Sequence, residues 1–479
     1  MTSGSYELPR KVKDVIVIGG GAAGVGATLG LLRDEDKYSS IRVFERRPQG
    51  GGLWTHTPAS GSIDVPSLDP HTSVQPDSNL HWPSAVYDNL VTNVPYEMMS
   101  YLDFKWPLNT PLYPERQKVA QYLQGVAQTI DKYIEYGVSV DDVVQLPDLR
   151  WKVTVRPTNS TTTQEYIVDA VISACGHYDI PRIPDVEGLK EWNTKFPSSV
   201  SHSKLYRNSA AFAADSKIIV VGNSASAIDI ANQLAEELPD SIQVYKSVRT
   251  FHDKGVRNPQ VIEVPQISKF LADTKAVELV NGQTIVGVDK IIFATGYLKS
   301  VPYLKTINNL DKPIITDGNR LNGIYNHIVP YNYPGLAFVG IVLYGGPMIL
   351  TELQGAWLSR LFQRDLQLPS YDEMVAWENN WAQKSGPNSA KFHELRNPDD
   401  VLYYNSLVRD IKNSRRPDGR YPDYMSQEHI NIRASFDLLK KTYVAFSKIN
   451  GASTGGISTF RKDANISLVE SPLALGAAE

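Results

Sequence analysis

Residues Asp14-Val-Ile-Val-Ile18 run straight into Gly19-Gly-Gly-Ala-Ala-Gly24 and then into an apolar stretch reaching about Leu32. A short apolar run that stops at glycines reads as a buried strand, and the longer run behind it as a helix. Gly19, Gly21 and Gly24 hold the Gly-x-Gly-x-x-Gly spacing, in which the first glycine makes a tight turn and the second lets backbone approach a pyrophosphate. The third lets helix and strand pack closely, and the phosphates sit on the free N–H groups at the helix start. A second strand, Ile41-Arg-Val-Phe44, ends in Glu45, 21 residues beyond Gly24. A carboxylate there accepts hydrogen bonds from a ribose and disfavours a 2′-phosphate, which suits FAD or NAD rather than NADP. Gly50-Gly-Gly-Leu-Trp54 follows at once, glycines for close backbone approach to a cofactor with Trp54 near its ring.

The same order of elements returns later. Lys217-Ile-Ile-Val-Val221 runs into Gly222-Asn-Ser-Ala-Ser-Ala227, a helix spans Ile228 to Leu238, and a second strand reads Ile242-Gln-Val-Tyr245. Gly222, Ser224 and Ala227 occupy the three glycine positions. No acid closes the second strand. Lys246 and Arg249 stand there instead, cations where a 2′-phosphate would lie, so this unit favours NADPH.

A further echo links the two units. Val171-Ile-Ser-Ala-Cys-Gly and Ile291-Ile-Phe-Ala-Thr-Gly are both apolar strands ending in Ala-x-Gly with a proline soon after. Strand, glycine turn, helix and strand, used twice, is the grammar of parallel α/β sheets. The expected fold is α/β, with two nested Rossmann-like dinucleotide-binding domains. Residues 1–179 form the first part of an FAD domain, 180–298 an inserted NADPH domain, and 299–479 the return to the FAD domain with a C-terminal segment. Val153–Val155 and Tyr166–Val168 read as a hairpin. The tail from Asn450, rich in Gly, Ser and Ala, reads as loosely held.

Composition narrows the function. At 479 residues, two or three domains are expected. With 48 Lys and Arg against 52 Asp and Glu, no basic surface for nucleic acid or a membrane anchor is called for. The lone Cys175 rules out an internal disulfide, a thiolate zinc site and a redox cysteine pair. It therefore counts against a disulfide reductase, which shares the double-nucleotide plan, and fits a cytoplasmic location. No Gly-x-Ser-x-Gly elbow, His-Glu-x-x-His or paired carboxylates stand out, which leaves the difficult chemistry to a cofactor.

These residues resemble the flavin-containing monooxygenases, the class B flavoproteins. The likeness rests on the turn at Gly19 to Gly24, on Glu45 and on Gly51 to Trp54. It also rests on the fingerprint Phe196-Pro-Ser-Ser-Val-Ser-His202-Ser-Lys-Leu-Tyr206, where Ser198 replaces the family's glycine. Tyr87-Asp-Asn-Leu-Val-Thr-Asn93, followed by Pro95, is similar to the family segment that carries an active-site asparagine. Gly346 to Gln354 is similar to the late FAD-side helix, and Ser226 to Asp229 to the NADP turn. The resemblance implies that Asn93 is the catalytic residue. It also implies cofactor contacts from Gly19, Gly21, Ala22, Ala23, Gly24, Glu45, Arg46, Gly52, Leu53, Trp54, Thr92, Asn93 and Gln354. On the NADPH side they come from His202, Tyr206, Gly222, Ser224, Ser226, Ala227, Asp229, Lys246 and Arg249.

The resemblance further implies that NADPH reduces FAD, that O2 adds at the flavin C4a carbon, and that the hydroperoxide is attacked by a soft nitrogen or sulfur. The expected substrate is a small amine, an indole alkaloid of fungal secondary metabolism, or a sulfide. Tyr206 in place of a tryptophan argues against a Baeyer–Villiger enzyme acting on ketones, the first rival. A flavin NADPH oxidoreductase without oxygen transfer and a non-enzymatic nucleotide binder are the others. No metal, nucleic acid or membrane anchor is expected, and a homo-oligomer is left open.

Overall fold

The computed structural model describes residues 6, 8–58, 61–251, 258–386, 390–471 and 473. The chain opens with β1 (Asp14–Ile18), α1 (Ala22–Leu32), β2 (Ser40–Glu45), α2 (Arg116–Thr129) and β3 (Ile134–Tyr136). A three-stranded antiparallel sheet follows, made of β4 (Val138–Gln145), β5 (Trp151–Pro157) and β6 (Gln164–Val168), and then β7 (Ala170–Ser173). The β5–β6 pair is the hairpin read in the sequence; β4 is an added third strand.

Next come β8 (Ile180–Pro181), α3 (Leu189–Lys195), β9 (Val200–His202), β10 (Lys217–Val221), α4 (Ala225–Glu237), β11 (Gln243–Val248) and β12 (Ile262–Pro265). A second antiparallel trio is β13 (Ile267–Leu271), β14 (Ala276–Leu279) and β15 (Thr284–Val286), followed by β16 (Lys290–Phe293) and β17 (Tyr297–Leu298). Then α5 (Lys305–Asn308), β18 (Ile324–Tyr325), β19 (Val329–Pro330), β20 (Leu336–Phe338) and α6 (Pro347–Phe362) complete the first unit.

Two parallel five-stranded sheets result, β20-β7-β1-β2-β3 and β12-β11-β10-β16-β9. Alternation along each central strand shows how they are buried on both faces. Val15 and Val17 of β1 pack with helices α1 and α6, while Ile16 and Ile18 pack on Val143, Trp151 and Val153 of the antiparallel trio. In the second unit Ile218 and Val220 of β10 meet Ile230 and Leu234 of α4, and Ile219 meets Phe270 and Val277 of the other trio. The duplication therefore extends to three layers in each unit: helices, parallel sheet, antiparallel sheet.

The Ala-x-Gly echo has a packing reason. A Cβ on Gly19 would sit 3.0 Å from the Ala174 carbonyl oxygen, and one on Gly222 would sit 2.6 Å from that of Ala294. Each strand-end turn thus lies directly under the glycine turn of its own sheet. Where the chain passes between units, β8 and β17 pair antiparallel.

The C-terminal part is helical: α7 (Tyr371–Ser385), α8 (Asp399–Lys412), α9 (Gln427–Ala434), α10 (Phe436–Asn450) and α11 (Gly456–Asp463). Tyr403 and Tyr404 of α8 join the α1–α6 core. Within the described residues the loosely held tail expected from Asn450 is corrected at α11: Phe460 is fully buried against Leu112, Tyr113 and Tyr443, because its apolar side closes a separate small core. No helix among the described residues is long and apolar enough to cross a membrane.

Candidate active site

Gly21 is the N-cap of α1 and supplies no capping side chain, so the first N–H groups of that helix stay available. Glycines 51 and 52 turn with positive φ, 107° and 54°, and bring backbone against the turn: a Cβ on Gly21 would lie 3.2 Å from Gly52 Cα. Gly24 has no room for any side chain, since a Cβ would fall on the Gly19 carbonyl. Ala22 and Ala23 start α1, and the Ala22 carbonyl accepts a hydrogen bond from the Tyr101 hydroxyl at 2.7 Å. Leu53 and Trp54 finish the short turn Gly52–Trp54 beside this wall. Glu45 is buried at the end of β2; its two oxygens accept from the N–H of Gly20 at 2.6 Å and of Arg47 at 2.8 Å. The carboxylate thus braces the glycine turn itself. A turn with an uncapped helix start, no space for Cβ atoms and an acid at the neighbouring strand end fits FAD.

In the second unit Ser224 is the N-cap of α4, yet its hydroxyl makes no capping bond, and it and Ser226 are exposed. A serine at this position ordinarily caps; here the helix start is open toward solvent, which fits a second pyrophosphate. Ala227 is buried beneath Gly222. Arg249 is exposed just past the end of β11. Arg182, immediately after β8, lies close to it: burial and then the Arg249 charge lower its pKa. Sequence reading missed Arg182, whose single clue is its place after the Ala-x-Gly turn and proline.

Asn93 lies on a backbone held from several sides. Thr92 donates its N–H to the Pro114 carbonyl at 3.0 Å and its hydroxyl to the Val94 carbonyl at 3.0 Å. Its own carbonyl accepts from Lys440 Nζ at 2.6 Å. Asn93 itself is exposed. Upstream, the Tyr87 hydroxyl donates to Asp229 of α4, and Asn89 donates to Glu237 at 3.0 Å. Downstream, Leu102 N–H donates to Glu352 of α6 at 2.8 Å. The segment is therefore strung between α4 of one unit and α1 and α6 of the other.

Several of the expected contact residues also carry structural bonds. His202 is fully buried, its Nδ1 accepting from the Lys204 N–H at 3.1 Å and its Nε2 donating to the Gly296 carbonyl at 3.0 Å. Burial pushes its pKa down to about 3, so it is a neutral capping histidine that ties the fingerprint to the β17 junction. Tyr206 is buried, donating to Gln233 at 3.2 Å and meeting Tyr87 edge to face. Gln354 is fully buried between the Gly340 N–H, which it accepts at 3.1 Å, and the Tyr403 hydroxyl, to which it donates at 2.8 Å.

Lys246 points to the buried face of β11, where strand alternation places it, and pairs with Glu263 at 2.7 Å. Asp229 is committed to Tyr87 and Gln233. The Arg46 guanidinium is engaged by both oxygens of Asp179, at 2.8 and 2.7 Å, and lies over the Trp82 ring. Burial would raise the Asp179 pKa, but Arg46 and then Lys204 hold it well below the usual carboxylate range. Neither Asp179 nor Lys204 carried a signal in the sequence, because their pairing depends on the chain crossing between units.

The chain matches the family model described as flavin-binding monooxygenase-like over residues 12–251 and 259–414. It is 32% identical over 386 residues to the flavin-containing monooxygenase GS-OX3 of Arabidopsis thaliana, covering 77% of this chain and 78% of that one. The flavin-containing monooxygenase iboF of Amanita muscaria is 27% identical over 453 residues, with 78% and 83% covered. In fold, the chain is similar to S-allyl-L-cysteine S-oxygenase from Allium sativum, with a TM-score of 0.74, 23% identity and 95% and 98% covered. Cyclohexanone monooxygenase is also similar in fold, at a TM-score of 0.53 and 14% identity over 83% of this chain and 97% of that one.

Proposed function

This chain belongs to the flavin-binding monooxygenase-like family, a monooxygenase family that uses FAD and NADPH, and from that premise we propose that it places one oxygen atom on a soft sulfur or nitrogen of a small molecule. The balance is NADPH, a proton, O2 and the substrate giving NADP+, water and a sulfoxide, N-oxide or hydroxylamine. FAD supplies the two-electron relay between NADPH and O2 when it is bound. The chain's own residues bind, orient and exclude water. The α1 start and Glu45-braced glycine turn would hold FAD; the α4 start with residues 180–298, Arg249 and Arg182 would hold NADPH and its 2′-phosphate.

The observation that carries the reading is Asn93: an exposed carboxamide on a segment pinned to α4 on one side and to α1 and α6 on the other. A preorganised amide at that junction is suited to hydrogen-bond where charge develops on the reacting oxygen. The fold neighbour named as an S-allyl-L-cysteine S-oxygenase supports a thioether as the first probe; an amine is the second.

The test is product analysis with purified holoenzyme, NADPH and isotopically heavy O2, offering a thioether, a tertiary amine and cyclohexanone in parallel. Label in a sulfoxide or N-oxide is expected. Label in a lactone would move the reaction to ketones, and no NADPH consumption with any of the three would reject the proposal.

A further inference from the structure

Lys440 lies in α10, about 350 residues downstream of Asn93, yet its ammonium donates to the Thr92 carbonyl at 2.6 Å and sits 4.4 Å over the Tyr113 ring. The Thr92 carbonyl belongs to the peptide that links Thr92 to Asn93, so whatever fixes this oxygen fixes the plane from which the Asn93 side chain departs. The Thr92 N–H is held by Pro114 and its hydroxyl reaches across Asn93 to the Val94 carbonyl, while Lys440 holds the oxygen of the Thr92–Asn93 peptide itself. Three elements meet here: the Tyr87–Asn93 segment, α4 through Asp229, and the C-terminal helix α10.

We propose that Lys440 is a positioning residue for the oxygen transfer: through the Thr92 carbonyl it sets the direction of the Asn93 carboxamide, and the C-terminal helices are thereby part of the active site. The proposal rests on the monooxygenase reading given above. It gives α10 a role beyond closing the small core around Leu112, Leu439 and Tyr443.

The electrostatic setting supports it. Burial lowers the Lys440 pKa to about 8, with Asp229 of α4 pulling the other way. Asp229 is in turn hydrogen-bonded by Tyr87. On the same helix Asp437 pairs with Lys441 at 3.1 Å, and Glu236 of α4 pairs with Lys448 at 3.3 Å. As pH rises through about 8 the ammonium loses its charge, and a charge-assisted bond to the Thr92 carbonyl becomes an ordinary one.

The experiment compares wild type, Lys440→Met, Lys440→Arg, Asn93→Ala and the Asn93→Ala/Lys440→Met double variant as FAD-loaded enzyme. The readout is H2O2 released per NADPH consumed with methyl phenyl sulfide as probe, from acidic to alkaline pH. Tm and amide hydrogen exchange of residues 91–94 without NADPH are read alongside. Lys440→Met is expected to raise the H2O2 fraction about fivefold with little change in KM for NADPH, the mark of lost transition-state positioning rather than lost binding. Lys440→Arg should restore coupling and remove the rise in H2O2 expected of wild type above about pH 8. In the Asn93→Ala background Lys440→Met should add nothing, since the two act as one unit. Faster exchange over 91–94 in Lys440→Met, cured by Arg, completes the expected pattern.

The idea is overturned if Lys440→Met keeps the wild-type H2O2 fraction, if its effect adds to that of Asn93→Ala, or if all rates fall with Tm and Arg does not rescue. A wild-type enzyme that consumes no NADPH sinks the monooxygenase reading and this role together, which separates that failure from a wild type that turns over and a Lys440→Met that behaves identically.

Discussion

Ser198 stands in left-handed backbone with φ 65°, at the place where the family fingerprint carries glycine. Its carbonyl is engaged by Lys290 at 3.0 Å, so the conformation is held by the surrounding fold rather than chosen by the serine. A non-glycine residue there is strained by roughly 1 kcal/mol or more. Ser198→Gly should therefore raise stability by about 1 kcal/mol, read as a higher urea midpoint at unchanged slope; a lower midpoint would show that the strain is absent.

Arg249 gives a second test at this scale. Arg249→Ala should raise KM for NADPH about tenfold, a loss of about 1.4 kcal/mol, and leave NADH turnover nearly unchanged. Equal losses with both nucleotides would place the 2′-phosphate elsewhere. Arg249 was singled out because no acid closes its strand, and it lies exposed just past the end of β11. Lys246 misled because β11 continues to Val248, and alternation turns the lysine to the buried face against Glu263. A few letters of sequence do not show where a strand ends.

At the scale of elements, α1 and α6 pack backbone to backbone. A Cβ on Gly30 would lie 2.5 Å from the Glu352 carbonyl oxygen and 2.6 Å from Gly355 C, and one on Gly355 would lie 2.8 Å from Ala27 Cα. Gly30→Val thus forces the two helices apart and should cost about 3 kcal/mol. Because α1 carries the pyrophosphate turn at its start, the variant should also retain less FAD, measured by flavin absorbance per protein. Gly125 supplies the contrast: it is exposed within α2, with nothing within 4 Å of its Cβ position. Gly125→Ala should stabilise by roughly 0.5–1 kcal/mol and leave FAD content alone. Both helices were legible, but their glycine contact was not: the partners lie more than 300 residues apart and no local pattern joins them. The same distance hides Lys440, an unremarked lysine in a helix until packing brings it to Thr92.

At the scale of the whole molecule, the two nucleotide units were legible because each repeats one local grammar, strand, glycine turn, helix and strand. What joins them was not, since the joints are made where the chain crosses. Asp179, just before β8, receives Arg46 from the end of β2 at 2.7 Å and lies 3.7 Å from Lys204 beyond β9, so one carboxylate ties both units. Its side chain keeps 38% exposure, and solvent screening limits the clamp to about 1 kcal/mol. Arg46 and Lys204 hold its pKa below the ordinary value, against the effect of burial. A depressed carboxylate contributes stability that is fully present above its unfolded pKa of about 4 and is lost as pH falls below that toward the folded value. Asp179→Asn should accordingly be about 1 kcal/mol less stable than wild type at neutral pH, with a gap that stays constant down to about pH 4 and closes only below it. Urea unfolding at a series of pH values measures this directly. A gap that does not narrow below about pH 4 would mean that the folded and unfolded pKa values coincide and that the carboxylate does not clamp the units, leaving the joint to contacts such as Tyr87–Asp229, Asn89–Glu237 and the β8–β17 pair.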